Sequence, residues 1–195
     1  MTHPLPHGVA AIFLAATATT AFAQDFPLTI EHTYGTTVIE EQPERVATID
    51  FAGVDNVLAL GFQPLTARAW FGPYDNALWP WAQELATADP AALAGELDFE
   101  QIAATDPDVI LAMRSGISPD DYERLSLIAP VVAVPPGRGD YDLDWVEQAE
   151  RAGLALGRSE LAAERIEAVR SAVADAAEAH PEWQGKTFAT EVPLD

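Results

Sequence analysis

The chain has 195 residues, 49% of them hydrophobic, enough for a sizeable buried core without cross-links. Its 31 acidic and 10 basic residues give a formal net charge of -21, which repels phosphate backbones and anionic membranes and excludes general nucleic-acid binding. Cysteine is absent. That excludes a disulfide framework, a thiolate nucleophile, a zinc–cysteine site and a lipid-modified cysteine.

Residues 1–23 differ from the rest. The run "GVAAIFLAATATTAFA" is apolar and small and ends in Ala21-Phe22-Ala23 before Gln24, an A-x-A cleavage pattern. It lacks the Lys and Arg of a usual export signal, but nothing caps it as a buried helix. It is expected to be a signal peptide that sends a soluble, unanchored protein to the periplasm.

Next, "LTIEHTYGTTVI" alternates polar and apolar residues around Tyr34-Gly35 and predicts a β-hairpin over 28–39. A strand is expected over 45–49, broken by Asp50-Phe51-Ala52-Gly53. Val54, Val57, Leu58 and Leu60 then recur at helical spacing until Gly61. A second short strand is expected over 65–69, and "WFGPYDNALWPWAQELA" is a loop running into a short helix. A helix over 98–105, a break at Pro107 and a strand over 109–112 come next. In "SPDDYERLSLIA", Ser118 can cap a helix, Pro119 suits its first turn, and Asp120 and Asp121 favour its positive end. "PVVAVP" is the fourth strand of the sheet. Alternating helix and strand with short links implies parallel strands with crossover helices.

After Pro135-Pro136-Gly137, residues 143–179 are almost wholly helical, interrupted near Gly157-Arg158-Ser159. Ala162, Ile166, Val169 and Val173 form one apolar stripe. Pro181 ends the helix, and "GKTFATEVPLD" starts what reads as a new strand without partners. A missing second domain is the expectation.

For chemistry, no G-x-S-x-G, G-x-G-x-x-G or P-loop occurs. Past the signal, only His32 and His180 remain, too far apart in sequence to suggest a zinc cluster. Carboxylates are too many for an acid–base pair to stand out. The informative positions are the loops at the strands' carboxyl ends, where open α/β sheets bind ligands. They carry Asp50 and Phe51, then Arg68, Trp70, Phe71 and Tyr74, then Arg114, then Arg138. A guanidinium beside aromatic faces suits a bulky anionic ligand. Packing serves Trp70 and Tyr74 equally well, and surface salt bridges serve Arg68 and Arg114 equally well. For Trp79 and Trp81, in a helical pattern, packing is the preferred role. Asp50 can equally cap the following helix.

The order of pieces resembles the periplasmic substrate-binding proteins of ABC importers for ferric siderophores, haem and vitamin B12. The resemblance rests on the hairpin T-x-x-H-x-x-G-x-T, on "PERV", on the Asp-aromatic pair followed by "LALGFQP", on "LDFEQIAATDPDVILA" and on "DDYERLSLIAPVV". It covers nearly everything from residue 26 onward. It implies an α/β fold with a parallel-sheet, Rossmann-like N-terminal lobe over 24–142. A connector helix over 143–180 and the start of a truncated second lobe over 181–195 complete the chain. The ligand would sit between lobes. The resemblance also implies that Glu100 and Glu123 dock the membrane permease, although a solvated helix face explains them equally well. Many relatives carry an Arg just before the "DFE" helix, where Gly95-Glu96-Leu97 stands here, and some place an aromatic where Ile117 stands. Anion gripping would then shift to Arg68 or Arg114, or the ligand is less anionic.

The expected function is capture of a ferric siderophore and delivery to an ABC-type permease by a monomer, without catalysis. Iron would stay within the siderophore, and no cofactor or metal would be held directly. Haem or cobalamin is the alternative on the same fold, with Tyr74 a candidate axial ligand for haem. A secreted α/β enzyme and an interaction module using only its acidic face are the alternatives of other classes.

Overall fold

The computed structural model describes residues 24–70, 72, 74, 76–187 and 189; the expected signal peptide lies outside the described residues. The chain opens with the antiparallel hairpin β1 (Leu28–His32) and β2 (Gly35–Ile39). Strands β3 (Val46–Thr48), β6 (Val109–Ala112) and β7 (Val131–Ala133) form a parallel sheet in the order β3-β6-β7. A second parallel pair joins β4 (Thr66–Ala69) to β5 (Ala91–Ala94).

These two parallel sheets are continuous through the side of β3. Val46 bridges Pro64, and the Leu65 N–H donates to the Val46 carbonyl at 2.8 Å. Beyond that bridge the Thr66 hydroxyl replaces the backbone ladder. It accepts from the Thr48 N–H at 3.0 Å and donates to the Thr48 carbonyl at 2.9 Å, so both buried backbone groups are satisfied. The spatial order is therefore β5-β4-β3-β6-β7, with β3 first in sequence and later strands added on either side. β5 is a fifth strand that sequence did not indicate. Its residues, "AALA", include no β-branched or aromatic side chain, and it forms because its backbone pairs with β4.

Both sheet faces are buried, as parallel sheets require. Val46, Val109, Leu111 and Val132 point to one side, against the hairpin, α1 (Gly53–Ala59) and α5 (Trp145–Ala155). Ala47, Ile110, Ala112 and Val131 point to the other, against Ile102 of α3 (Phe99–Ala104) and Leu125 of α4 (Pro119–Ser126). The short α2 (Pro80–Gln83) follows the loop after β4 and packs through Ala82 on Val54 and Leu58.

Helix ends follow local chemistry. Ser118 caps α4 in a reciprocal box with Asp121, as expected, and Asp98 caps α3. Gly61, at φ +84°, ends α1 with the Phe62 N–H on the Val57 carbonyl and its own N–H on the Leu58 carbonyl.

The helical stretch expected over 143–179, with its interruption near Gly157-Arg158-Ser159, is two helices, α5 and α6 (Ser159–Ala179). Gly157 at φ +65° stops α5, with the Arg158 N–H on the Gly153 carbonyl at 2.7 Å. The chain then folds back so closely that a Cβ on Gly153 would stand 2.5 Å from the Ala162 Cβ. Of the stripe on α6, Ala162 and Ile166 are buried, whereas Val169 and Val173 are 47% and 64% exposed. A single 3-10 turn, Pro181–Trp183, follows.

Candidate functional site

Because the strands run in one direction, their carboxyl ends share an edge. At β3 the neighbouring crossovers diverge, one toward β4 and one toward β6, and this divergence opens a crevice in doubly wound sheets. The turn at that point is unusually tight. Ala52, the residue before α1, adopts φ 67°, and a Cβ on Gly53 would stand 2.1 Å from the Thr48 Oγ1. Strain of this kind persists where surrounding structure holds it, and it concentrates at functional sites.

The turn sends Asp50 inward and Phe51 outward. Asp50 is 2% exposed. It does not cap α1. Its Oδ1 instead accepts from the Arg114 N–H at 2.7 Å, tying the β3 end to the β6 end. Burial pushes its carboxyl up to about 7, with the charge of Asp140 adding to the rise. Backbone N–H groups of Arg114 and Met113 and the Arg114 charge pull the other way.

Phe51 is the centre of a shallow aromatic rim. Its ring lies 5.5 Å from that of Trp70 and 6.4 Å from that of Tyr141, and the Arg68 guanidinium stands 5.2 Å from its centroid. Trp70 is 58% exposed. Arg68 donates through Nη2 to the Gly95 carbonyl at 2.6 Å, and its buried Nη1 has no hydrogen-bond partner. Asp50, Arg68 and Trp70 line one hollow of about 330 Å³. Trp70 and Tyr74 line an adjoining one of about 310 Å³ that reaches Gly95.

Two further arginines stand differently. Arg114 joins the site through its backbone, and its half-buried guanidinium forms no hydrogen bond or ion pair among the described residues. Arg138 is already held: it grips Glu147 through two bonds of 2.6 and 2.8 Å and the Asp142 carbonyl at 2.8 Å. Glu147 is also the reciprocal capping residue of α5, so the pair braces that helix start. Phe71 lies outside the described residues. Glu100 and Glu123 are exposed on α3 and α4, two helices on the same sheet face that Arg124 joins by stacking 3.5 Å from the Phe99 ring centroid.

Sequence reasoning missed Tyr141 and Asp140, which follow Gly139 in a loop without periodicity. It also assigned Trp81 to packing. Trp81 is 62% exposed, stacks on Trp79 at 5.2 Å and donates to Asp55 at 3.2 Å. The helix there spans only Pro80–Gln83, too short to bury both indoles.

Residues 46–192 match the family model described as periplasmic binding protein. Among curated proteins, the ferric-anguibactin-binding protein FatB of Vibrio anguillarum is 32% identical over 106 residues, covering 54% of this chain and 31% of FatB. Among solved structures, a periplasmic solute-binding protein from Mycobacterium smegmatis is 34% identical with a TM-score of 0.73, covering 80% of this chain and 55% of that one. PiaA of Streptococcus pneumoniae in complex with ferrichrome is 33% identical with a TM-score of 0.71, covering 84% and 55%. The chain thus spans about half the length of the solved relatives and less of FatB.

Proposed function

Because this chain belongs to the periplasmic binding protein family, we propose that the crevice at the end of β3 captures a ferric siderophore for delivery to an ABC-type permease. The observation that carries this reading is the convergence of Arg68, Trp70 and Asp50 on one hollow, with Phe51 at its rim. Arg68 brings its guanidinium to Gly95, in the segment where the family resemblance leads one to expect an arginine. Its Nη1 is buried without a partner, so a side-chain shift that turned it to a chelate oxygen would recover a missing hydrogen bond. The ferric cargo named for FatB and the ferrichrome seated in PiaA support the same ligand class.

In this reading, residues 24–142 are one lobe, 143–180 the connector and 181–195 the start of a second lobe, and the ligand lies between the lobes. Iron is cargo inside the chelator. Arg68, Trp70, Tyr74, Phe51 and Asp50 line the cleft, Arg114 borders it, and Arg138 is engaged with Glu147 at the start of α5 instead of the ligand. Exposed Glu100 and Glu123 meet basic pockets of the permease. Export proceeds through residues 1–23, and the protein works as a monomer.

The test is tryptophan fluorescence of the full chain titrated with ferric hydroxamate, catecholate and carboxylate siderophores, their iron-free forms, haem and cobalamin. Saturable quenching by at least one ferric siderophore, reduced in Trp70→Phe, is expected. Absence of saturable binding by every ferric chelate overturns the reading, and a Soret band with haem in its place favours haem uptake.

A further inference from the structure

The hollow floored by Asp50 runs sideways beneath Trp70 to the tryptophan pair at the start of α2, and this part is built unlike an anion site. Its walls are the indoles of Trp70, Trp79 and Trp81. Small side chains leave the space open, and two of them, Ala52 and Ala77, hold φ values of 67° and 57°. Two strained non-glycine positions on the wall of one cavity mark a shape maintained against local cost.

Beside Arg68 and the indole N–H groups, the polar side chains lining this compartment are two carboxyls, Asp50 and Asp55. Asp50 forms its floor, and Asp55 stands at the first turn of α1 with its oxygens 3.2 and 3.3 Å from the Trp81 Nε1. Arg68, the cation on its wall, is drawn toward the Gly95 carbonyl and the Phe51 ring. Indole faces attract positive charge, and carboxylates accept from donors. At about 330 Å³, the space is at the small end of ligand pockets, suited to one ring system and not a whole chelate.

We infer that this compartment receives a planar aromatic arm of the ligand that carries a protonated amine or another hydrogen-bond donor. The inference rests on the chelate-binding reading of the same site and specifies which chelates fit: those with a donor-bearing aromatic arm beside the iron-binding groups.

Two probes of equal ring and opposite charge test it. Tryptamine and indole-3-acetate are titrated separately into the full 15N-labelled chain, and the indole N–H signals are followed. Tryptamine should shift the Trp79 and Trp81 signals saturably, spare Trp145 and Trp183, and bind at least about tenfold more tightly than indole-3-acetate. Trp81→Ala should abolish the Trp79 shift. Asp55→Asn should keep ring binding and reduce the preference for the cation. Equal binding of both probes, or shifts confined to Trp145 or Trp183, overturns the inference. Ferric-chelate titration of the same sample separates the two readings. Chelate binding with no tryptamine response keeps the function and removes the compartment. A tryptamine response with no chelate binding keeps the compartment and removes the function.

Discussion

Asp50 and His32 are both 2% exposed, yet the structure treats them in opposite ways. His32, the last residue of β1, sits in a closed relay. Its Nδ1 accepts from the Tyr34 N–H at 3.2 Å, so Nε2 carries the proton and donates to the Thr37 hydroxyl at 2.9 Å, which donates to the Val131 carbonyl at 2.6 Å. Burial, and then the charge of Arg151, push the His32 pKa below its usual value, keeping it neutral. Asp50 has backbone donors too, but burial, with the charge of Asp140 adding, drives its pKa up to about 7, and it lines a cavity. A titratable group with every site filled ties a hairpin to a sheet edge. One held at a stability cost beside an open hollow fits the proposed ligand site, because such costs are retained where binding needs them.

The largest expected effect is at Asp50. Its folded pKa lies above its unfolded value of 3.8, so the folded state holds the proton more tightly. Its contribution to stability is complete below pH 3.8 and is lost as pH rises through about 7. A shift of that size corresponds to about 4 kcal/mol, and Asn keeps an acceptor for Arg114 but presents its amide to the other donor. Asp50→Asn should therefore stabilise the protein by about 2–3 kcal/mol at pH 8 in urea unfolding, and flatten the decline between pH 4 and 7, while weakening chelate binding. Unchanged stability at pH 8 would remove Asp50 from the comparison.

Thr37→Val breaks the relay on the other side. It leaves the buried His32 donor and the Val131 carbonyl unpaired and should cost about 2 kcal/mol by the same unfolding measurement, with chelate affinity unchanged. The relay also sets a pH dependence of opposite sign. With the folded His32 pKa depressed, its contribution is complete above 6.5 and is lost as pH falls through the lower folded value. Protection factors for amide exchange across β1 and β2, after correction for the intrinsic pH dependence of exchange, should fall below pH 6.5 in the native protein.

Trp70→Ala should cost about tenfold in ferric-chelate affinity, read by titration against the remaining tryptophans, with little change in melting temperature because the indole is mostly exposed. The smallest effect is expected for Arg138→Ala. Its partner Glu147 is solvated, so chelate affinity should stay within error and the melting temperature should fall only slightly, by calorimetry.

Much of this was legible in the letters. Val109, Ile110, Leu111 and Ala112 form a continuous apolar run, and such a run reads as a strand buried on both faces. Ser118, Gly61 and Gly157 mark helix ends by bonds that reach only a few residues, so their local sequence suffices. Arg68 lies near the carboxyl end of a predicted strand, and Trp70 and Asp50 follow predicted strands, which places all three at the ligand-facing edge of a parallel sheet before any coordinate is known.

Other features depend on partners far away in sequence. β5 is a strand through its pairing with β4, Asp50 binds Arg114 rather than its own helix, Arg138 is taken by Glu147, and Tyr141 meets Phe51 across the crevice. The sequence by itself determined the order of elements, their caps and the edge that carries the site. Tertiary packing decided which side chains share that hollow and with what charge, because burial, desolvation and cross-strand hydrogen bonds exist only once distant segments are brought together.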